Sequence, residues 1–306
     1  MKKNNLPLAL KYRPKNFKEL IGQNVMVETI INSIKLNKLP NAYLLTGIRG
    51  TGKTTTARLI AKALNCNKNF LKEENCDCNH CEEISKDKHL DVIECDAASR
   101  TGVQDIREII ESARYKPTIA KYKVYIIDEC HMLSRNAWNA MLKTLEETPE
   151  SLKFVLCTTE QKKVPVTIKS RCQCFNLHRV SIKTLLDHLK KISKVENGNI
   201  SDEALILIAR AAEGSVRDSL SLLARALLID SIEGKEVSPT SIRKMLGIAD
   251  RSKILNLLSF IFLGDQKKSI EQLRDLINEG IEPNNFLNDL LEIIYFMQQK
   301  KNIGNF

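Results

Sequence analysis

A short glycine-rich segment carries the residues best suited to chemistry. Residues 47–54 read Gly-Ile-Arg-Gly-Thr-Gly-Lys-Thr and match the pattern G-x-x-x-x-G-K-[ST] at each fixed position. Glycines let backbone N–H groups turn inward around phosphates, and the helix that follows presents its positive end to them. The ammonium of Lys53 can reach the β- and γ-phosphates, and the hydroxyl of Thr54 can bind Mg²⁺. The segment therefore predicts a nucleotide site that also includes Gly47, Arg49, Gly50, Thr51 and Gly52.

Two adjacent acids supply the second part of such a site. Asp128 and Glu129 follow an apolar run at 124–127, which is typical of a buried strand. Asp128 would hold Mg²⁺, directly or through water, and Glu129 would polarise the attacking water. Two such acids are, on their own, more commonly solvated turn residues. Combined with the glycine-rich segment, they predict a Mg²⁺-dependent ATPase.

Two other functions remain open for the same residues. A P-loop kinase would aim its base at a substrate hydroxyl and would usually carry an arginine-rich lid. A nucleotide-sensing subunit would bind ATP without useful turnover, but such a protein is expected to lose Lys53, Asp128 or Glu129, and all three are present. The acid directly after the metal-binding aspartate favours hydrolysis.

A further strand ending in a polar residue is expected between the strand before residue 47 and the strand before Asp128. The apolar run at 154–157, followed by Thr158 and Thr159, fits this position. Thr159 or Thr158 would contact the γ-phosphate or orient the water. The competing interpretation is an ordinary strand cap.

Four of the nine cysteines are clustered in sequence, at Cys66, Cys76, Cys78 and Cys81. Four thiolates at this spacing suit tetrahedral Zn²⁺, and four protein ligands leave no position open for catalysis, so the metal would be structural. A Cys-x-Cys pair is a less common chelate, and His80 is a possible substitute ligand. The alternative is a set of reduced thiols on a surface insertion, which proteins usually avoid.

The elements that must position these residues alternate between strand and helix. Apolar runs predict strands at 42–45, 91–94, 124–127, 154–157 and 172–177, and helices are predicted at 25–36, 54–64, 103–113 and 137–147. This alternation predicts a parallel sheet covered by helices on both faces. From residue 181 onward every segment has helical periodicity: 181–195, 202–213, 215–229, 239–246, 251–263, 267–279 and 283–299. The shift in composition places a boundary near residue 178.

Composition and charge limit the class of protein. The 306 residues are 43% hydrophobic and 27% charged, as in soluble globular proteins, and no apolar stretch is long enough to span a membrane. The basic N-terminus lacks the apolar core of a signal peptide, so we expect a cytoplasmic location without membrane association. A net charge of +10 favours nucleic acid as a partner, although a surface rich in solvated lysine gives the same value.

Several motifs, in order along the chain, resemble the gamma/tau subunit family of bacterial DNA polymerase III. They are the loop through Thr55, residues 96–100 (Asp-Ala-Ala-Ser-Arg), 127–134 (Ile-Asp-Glu-Cys-His-Met-Leu-Ser), 142–147 (Leu-Lys-Thr-Leu-Glu-Glu), 158–160 (Thr-Thr-Glu), 170–172 (Ser-Arg-Cys) and 212–218 (Ala-Glu-Gly-Ser-Val-Arg-Asp). The likeness runs from Tyr12 to about Leu246 and is less diagnostic after residue 250.

This resemblance implies a fold and a function. The fold would be an AAA+ P-loop NTPase domain over 1–178 with a zinc module at 66–81, a helical lid over 179–243 and the start of a helical collar over 244–306. The chain would be an ATP-hydrolysing subunit of the clamp loader, which loads the sliding clamp onto primed DNA during replication. Family members are usually longer, which implies a fragment or a short form.

The resemblance also implies partners. The chain would form a ring with other clamp-loader subunits and associate with the polymerase III core. The collective label of the family is DNA-directed DNA polymerase, a transferase. Polymerase carboxylates are not recognisable in the sequence, so nucleotide addition by this chain is not expected.

Three arginines acquire roles only from the resemblance. Arg171 would be an arginine finger that reaches the ATP of a neighbouring subunit. Arg217 would contact ATP within the same chain, from the second domain. Arg13, with the nearby Pro14 and the Gly22-Gln23 pair, would line the adenine pocket.

Basic residues of the first domain are candidates for contact with the DNA backbone, because aromatic residues for base stacking are sparse. These are Arg100, Arg107, Arg114, Lys116, Lys121, Lys123, Lys162, Lys163 and Lys169. Solvated surface is the competing interpretation for each of them.

Overall fold

The computed structural model describes residues 6–68, 70–71, 76, 78–99, 103–113, 115–233, 236–248, 251–278 and 280–303. The chain divides into two compact units. The first comprises Met1–Leu185 with Glu213–Ser221, and the second comprises Leu186–Ala212 with Leu222–Phe306. Residues 213–221, which the family resemblance places in the lid, thus pack with the first unit.

A five-stranded parallel sheet forms the centre of the first unit. Its strands are β1 (Ala42–Thr46), β2 (Val92–Asp96), β3 (Lys123–Asp128), β4 (Leu152–Thr158) and β5 (Gln173–Asn176), in the order β2-β3-β4-β1-β5. The predicted parallel sheet is confirmed, as is the predicted position of β4 between β1 and β3. Each predicted strand agrees with an observed one to within two residues at either end.

Burial explains the composition of these strands. Every residue of β1 and β4 is buried, as expected for central parallel strands covered on both faces. The edge strand β5 alternates between half-buried and exposed positions. Along β1, Tyr43 and Leu45 belong to the core on one face of the sheet, and Ala42 and Leu44 to the core on the other.

Helices cover both faces of the sheet. They are α1 (Leu8–Lys11), α2 (Asn24–Lys35), α3 (Lys53–Asn65), α4 (Asn79–Ser85), α5 (Val103–Ala113), α6 (Arg135–Glu146) and α7 (Val166–Lys169). Leu59 and Ile60 of α3 pack in the first core, and Trp138 and Met141 of α6 pack in the second. Periodicity does not predict α1, α4 or α7, because each has fewer than two helical turns.

Helices alone follow β5 among the described residues, apart from a single bridge between Ile200 and Val237. They are α8 (Ile182–Val195), α9 (Asp202–Ala211), α10 (Val216–Glu233), α11 (Pro239–Leu246), α12 (Arg251–Phe262), α13 (Gln266–Asn278) and α14 (Pro283–Ile303). The predicted change to helical structure is confirmed. A small buried core of Ile254, Leu257, Leu258 and Leu276 joins α12 and α13. None of the helices in the described part of the chain is both long and apolar enough to cross a membrane.

A buried carboxylate fixes the loop that leads into β3. Asp91 accepts backbone N–H groups from Thr118, Ile119 and Ala120 at 2.8, 2.8 and 2.9 Å. Burial raises the pKa of Asp91, but these three hydrogen bonds outweigh it and hold the pKa below its ordinary value of 3.8. The carboxylate therefore stabilises the fold above about pH 3.8, and this contribution is lost as the pH falls through the lower folded-state pKa.

The variant Asp91→Ala is expected to lower the free energy of unfolding by about 2 kcal/mol at neutral pH, because three N–H groups lose their acceptor. Urea denaturation followed by circular dichroism measures this change. The difference from the parent should shrink below pH 3.8. The control is Asp187→Ala, an exposed carboxylate of α8, which should change stability by less than about 0.5 kcal/mol. Equal urea denaturation midpoints for the two variants at neutral pH would contradict the stabilising role of Asp91.

Candidate functional site

The glycine-rich segment forms the turn between β1 and the N-terminus of α3. Gly47, Gly50 and Gly52 have φ values of +151°, +78° and +99°, which side chains rarely adopt. A Cβ atom on Gly47 would lie 2.6 Å from the carbonyl oxygen of Leu177, and one on Gly50 would lie 2.0 Å from Ser215 Oγ. The glycines are thus required both by backbone conformation and by close neighbours.

Lys53 lies in the first turn of α3 and is buried. Its ammonium donates to the carbonyl oxygens of Gly47 and Ile48, at 3.0 Å each. Burial lowers the pKa of Lys53, and the negative charges of Glu129 and Asp128 oppose that shift. The ammonium is therefore held inside the loop and close to both acids.

Thr54 and Asp128 are in direct contact. The Thr54 hydroxyl donates to Asp128 Oδ2 at 2.6 Å, although the two residues are 74 positions apart in sequence. Asp128 Oδ1 accepts the backbone N–H of Glu129 at 2.9 Å. A hydroxyl and a carboxylate at the phosphate end of the loop are the oxygen ligands that Mg²⁺ prefers, so the residues fit this ion.

Glu129 is positioned by its backbone and by the end of β4. Its φ of 45° lies in the left-handed region, which is uncommon for a residue other than glycine and recurs at functional sites. Glu129 Oε2 accepts the backbone N–H of Thr159 at 3.3 Å and its hydroxyl at 3.0 Å. Of the two threonines left open by the sequence, Thr159 therefore reaches the proposed base.

Thr158 has a different environment, which reveals a residue that the motif search missed. Thr158 is fully buried, and its Oγ1 accepts the N–H of Glu160 at 3.0 Å. The same oxygen lies 3.0 Å from His131 Nδ1. His131 in turn lies 3.4 Å from Glu129 Oε2. His131 is part of the family motif at 127–134, directly after the acid pair and Cys130, but the motif assigned it no role.

The start of α10 lies against the loop within the first unit. Gly50 accepts the backbone N–H groups of Val216 and Arg217 at 3.0 and 3.3 Å. Burial lowers the pKa of Arg13, and the charges of Arg58 and Arg217 lower it further. Arg13 and Arg217, both assigned to ATP by the resemblance, thus lie within electrostatic reach of one another.

Gln23, expected near the adenine pocket, has its side-chain amide engaged with the backbone of His178. Its Nε2 donates to the carbonyl oxygen of His178 at 2.8 Å, and its Oε1 accepts the N–H of the same residue at 3.2 Å. This pair of hydrogen bonds connects the start of α2 to the segment after β5. The Gly22-Gln23 pair is thereby fixed beside Val180, which a Cβ on Gly22 would approach to 3.0 Å.

Arg171 contacts residues outside the loop site. Its Nη1 donates to the carbonyl oxygen of Thr167 at 2.7 Å, and its Nη2 donates to the carboxylate of Glu146. A third of its side chain is exposed, at 33%. Its guanidinium is therefore held on the surface of the first unit.

The four clustered cysteines converge at the end of α3. Their sulfur atoms all lie within 4.8 Å of one another, and Cys66 Sγ lies 3.2 Å from Cys76 Sγ and 3.8 Å from Cys78 Sγ. Four sulfurs around Zn²⁺, at about 2.3 Å from the metal, are separated by about 3.8 Å, so the cluster fits this ion. Cys78 precedes α4 and Cys81 lies in its first turn, so the start of α4 brings this Cys-x2-Cys pair together.

His80 is engaged elsewhere. Its Nδ1 lies 2.7 Å from His89 Nε2, and His89 Nδ1 accepts the backbone N–H of Asp91 at 3.0 Å. Neutral His89 then carries its proton on Nε2 and donates it to His80, whose Nδ1 lone pair is occupied. Four thiols, without His80, therefore form the cluster.

The thiols differ in acidity. Burial raises the pKa of Cys66 to about 11. Burial also acts to raise the pKa of Cys78, but hydrogen bonds from the backbone and thiol of Cys81 and from Cys76 outweigh it and lower the pKa to about 7. Cys78 is thus the first thiol of this pair to become the thiolate that a metal requires.

The basic residues proposed for DNA contact are in different settings. Arg107, Lys116, Lys121 and Lys162 are exposed, and Lys169 is half-exposed. Lys123 donates to the carbonyl oxygen of Ser112 at 2.6 Å, and Lys163 pairs with Glu160 at 2.8 Å. Arg100 and Arg114 lie outside the described residues.

Three family models match the chain. Residues 22–181 match a model described as DNA polymerase III, delta subunit. Residues 184–229 match the ATPase lid domain of the DNA polymerase III clamp loader subunit, and residues 237–305 match domain III of the DNA polymerase III subunits gamma and tau.

Curated relatives decide between these subunits. The chain is 42% identical to DNA polymerase III subunit gamma of Buchnera aphidicola subsp. Schizaphis graminum, over 96% of this chain and 80% of that protein. The chain belongs to the DNA polymerase III gamma/tau subunit family. This gamma/tau-family chain is also 40% identical to subunit tau of Escherichia coli K12, over 94% of its own length and 44% of the relative. It is 39% identical to subunit tau of Bacillus subtilis 168, over 93% of its own length and 50% of that relative.

As a member of the gamma/tau family, the chain is an ATPase subunit of the clamp-loader type. It spans four fifths of the shorter gamma relative and half or less of the two tau relatives. Among solved structures, the RuvB Holliday junction branch migration motor of Thermotoga maritima has a TM-score of 0.59, with 19% identity over 83% of this chain and 80% of that chain. At this identity the likeness to RuvB concerns the fold alone.

The variant Gly50→Ala is expected to weaken ATP binding at least about 10-fold, because its Cβ would overlap Ser215 Oγ and disturb the loop. Titration with a fluorescent ATP analogue measures the affinity. Gly264→Ala is the matched control, since Gly264 has a similar φ of +73° but no atom within 4 Å of the added Cβ. Equal ATP affinities for the two variants would show that the overlap of the added Cβ with Ser215 does not disturb nucleotide binding.

Proposed function

We propose that this gamma/tau-family chain binds ATP with Mg²⁺ and hydrolyses it to load the sliding clamp onto primed DNA. The observation that carries the proposal is the 2.6 Å contact between Thr54 and Asp128, with Lys53 and Glu129 beside it. A hydroxyl and a carboxylate in contact with each other, next to a loop lysine, are what a Mg²⁺-nucleotide site requires.

Each group at the site has a distinct task. Backbone N–H groups of residues 47–52 and the positive end of α3 bind phosphate oxygens, together with the ammonium of Lys53. Thr54 and Asp128 hold Mg²⁺, which neutralises charge on the phosphates when bound. Glu129 accepts a proton from the attacking water, and Thr159 orients its carboxylate.

The remaining loop residues complete the nucleotide pocket in this proposal. Arg49, Thr51 and Thr55 lie in or directly after the loop and contact phosphate through backbone or side-chain donors. Arg13 and Arg217 contact the nucleotide within the same chain, and the link between Gly50 and the start of α10 supports this for Arg217.

Arg171 is proposed to act on the ATP of a neighbouring subunit. An exposed guanidinium whose partners lie outside the loop site is suited to reach a second molecule. This role requires a ring of clamp-loader subunits, with the polymerase III core as a further partner. The exposed basic residues and the net charge of +10 support contact with the backbone of primed DNA.

The helices after the lid are proposed to form the start of an oligomerising collar. The proposed domains are 1–178, 179–243 and 244–306, and the support is the order of the family models along the chain, at 22–181, 184–229 and 237–305. Large apolar side chains remain exposed on α12 and α14, and these include Phe262, Leu291 and Phe296 at 69%, 62% and 56%. Apolar surface of this kind is typical of a subunit interface.

The cysteine cluster is proposed to bind one structural Zn²⁺ through Cys66, Cys76, Cys78 and Cys81. The support is the convergence of the four sulfurs and the engagement of His80 with His89. The ion would hold the segment after α3 against α4.

The variant Glu129→Gln is expected to bind ATP with unchanged affinity but to lower kcat about 100-fold or more, because it removes the base. Phosphate release by the assembled clamp loader measures this, with and without primed DNA and clamp. The parent should be stimulated by both additions. If the Glu129→Gln variant hydrolyses ATP as fast as the parent, Glu129 is not the base. If primed DNA and clamp do not stimulate the parent, the proposed clamp-loading function is wrong.

The variant Cys76→Ser is expected to reduce bound zinc from about one ion per chain to a small fraction of that, since one of four thiolates is lost. Elemental analysis of the purified chain measures the metal content. Cys174→Ser, which removes an exposed thiol outside the cluster, should leave the zinc content unchanged. Absence of zinc from the parent chain prepared with zinc present would exclude the metal site.

A further inference from the structure

His131 lies between two carboxylates at the edge of the ATP site. It is part of the short turn Cys130–Met132, and its side chain is 7% exposed. Its Nδ1 lies 3.4 Å from Glu129 Oε2, and its Nε2 lies 3.4 Å from Glu160 Oε1. Both polar atoms of a nearly buried ring thus face acids, which packing alone does not require.

The groups that face Nδ1 are each held in place by further hydrogen bonds. Thr158 Oγ1 lies 3.0 Å from Nδ1 and is fixed by the backbone N–H of Glu160. Glu129 Oε2 is also held by the N–H and hydroxyl of Thr159. An N–H at Nδ1 can therefore be shared between a fixed hydroxyl and the carboxylate of Glu129.

The Nε2 side is more open to solvent. Glu160 is 48% exposed and pairs with Lys163 at 2.8 Å. Water and the lysine ammonium compete for this carboxylate, which weakens its hold on the ring. The contacts of Nδ1 are therefore expected to have the larger effect on Glu129.

We propose that His131 is a positioning residue that holds the carboxylate of Glu129 in the orientation needed to activate water. The inference rests on the proposed function, in which Glu129 is the base. A carboxylate on a left-handed residue at a strand end has few neighbours to fix its rotamer, and the donors from Thr159 and His131 approach the same oxygen. Misplacement of a catalytic group by about 1 Å can cost on the order of 100-fold in rate.

Three substitutions test which nitrogen matters. His131→Leu removes both ring nitrogens and is expected to lower kcat about 10- to 100-fold, with KM and ATP affinity within about 2-fold of the parent. His131→Asn places an amide near the position of Nδ1 and should recover most of kcat. His131→Gln places its amide near the position of Nε2 and should recover little. The assembled clamp loader with primed DNA and clamp is used for all measurements.

The same series distinguishes failure of this inference from failure of the proposed function. Parental kcat in His131→Leu, or equal losses in all three variants, would overturn the positioning role while Glu129→Gln still abolished turnover. Parental turnover in Glu129→Gln would overturn the base itself and the inference with it. Because the two residues act through one carboxylate, adding His131→Leu to Glu129→Gln should lower kcat by less than about 2-fold more.

Discussion

The contact between Thr54 and Asp128 is the interaction on which the rest of the site depends. It joins the first turn of α3 to the end of β3. The contact can form because β1, β4 and β3 are parallel neighbours whose carboxyl ends meet at one edge of the sheet. Lys53, Glu129 and Thr159 follow these same strand ends and therefore lie around a single point.

A second constraint is the close approach of two distant segments at Gly50. The carbonyl of this residue accepts N–H groups from the start of α10, and its Cα faces Ser215 without room for a side chain. Residues 213–221 consequently belong to the same compact unit as the loop. A change in the conformation of the loop must therefore be accompanied by a change at the start of α10, whose first residues include Arg217.

In the cysteine cluster, tertiary packing decides a question that the spacing of the cysteines in sequence leaves open. Spacing alone left His80 as a substitute ligand for one of the four cysteines, because a Cys-x-Cys pair is an uncommon chelate. The folded chain engages His80 with His89, which is itself fixed by the backbone of Asp91. The ligand set proposed for zinc thus depends on a hydrogen bond between His80 and His89, nine positions further along the chain.

The sequence by itself determined the order of the strands and of the longer helices, the glycine turn with Lys53, and the acid pair, because each is encoded by local periodicity or by a short motif with its own chemistry. It also indicated that β4 separates β1 from β3. Tertiary structure alone decided that Thr159 and not Thr158 reaches Glu129, and that His131 lies beside the same carboxylate. These pairings depend on strand register and on side-chain distances between separate elements, which no local pattern specifies.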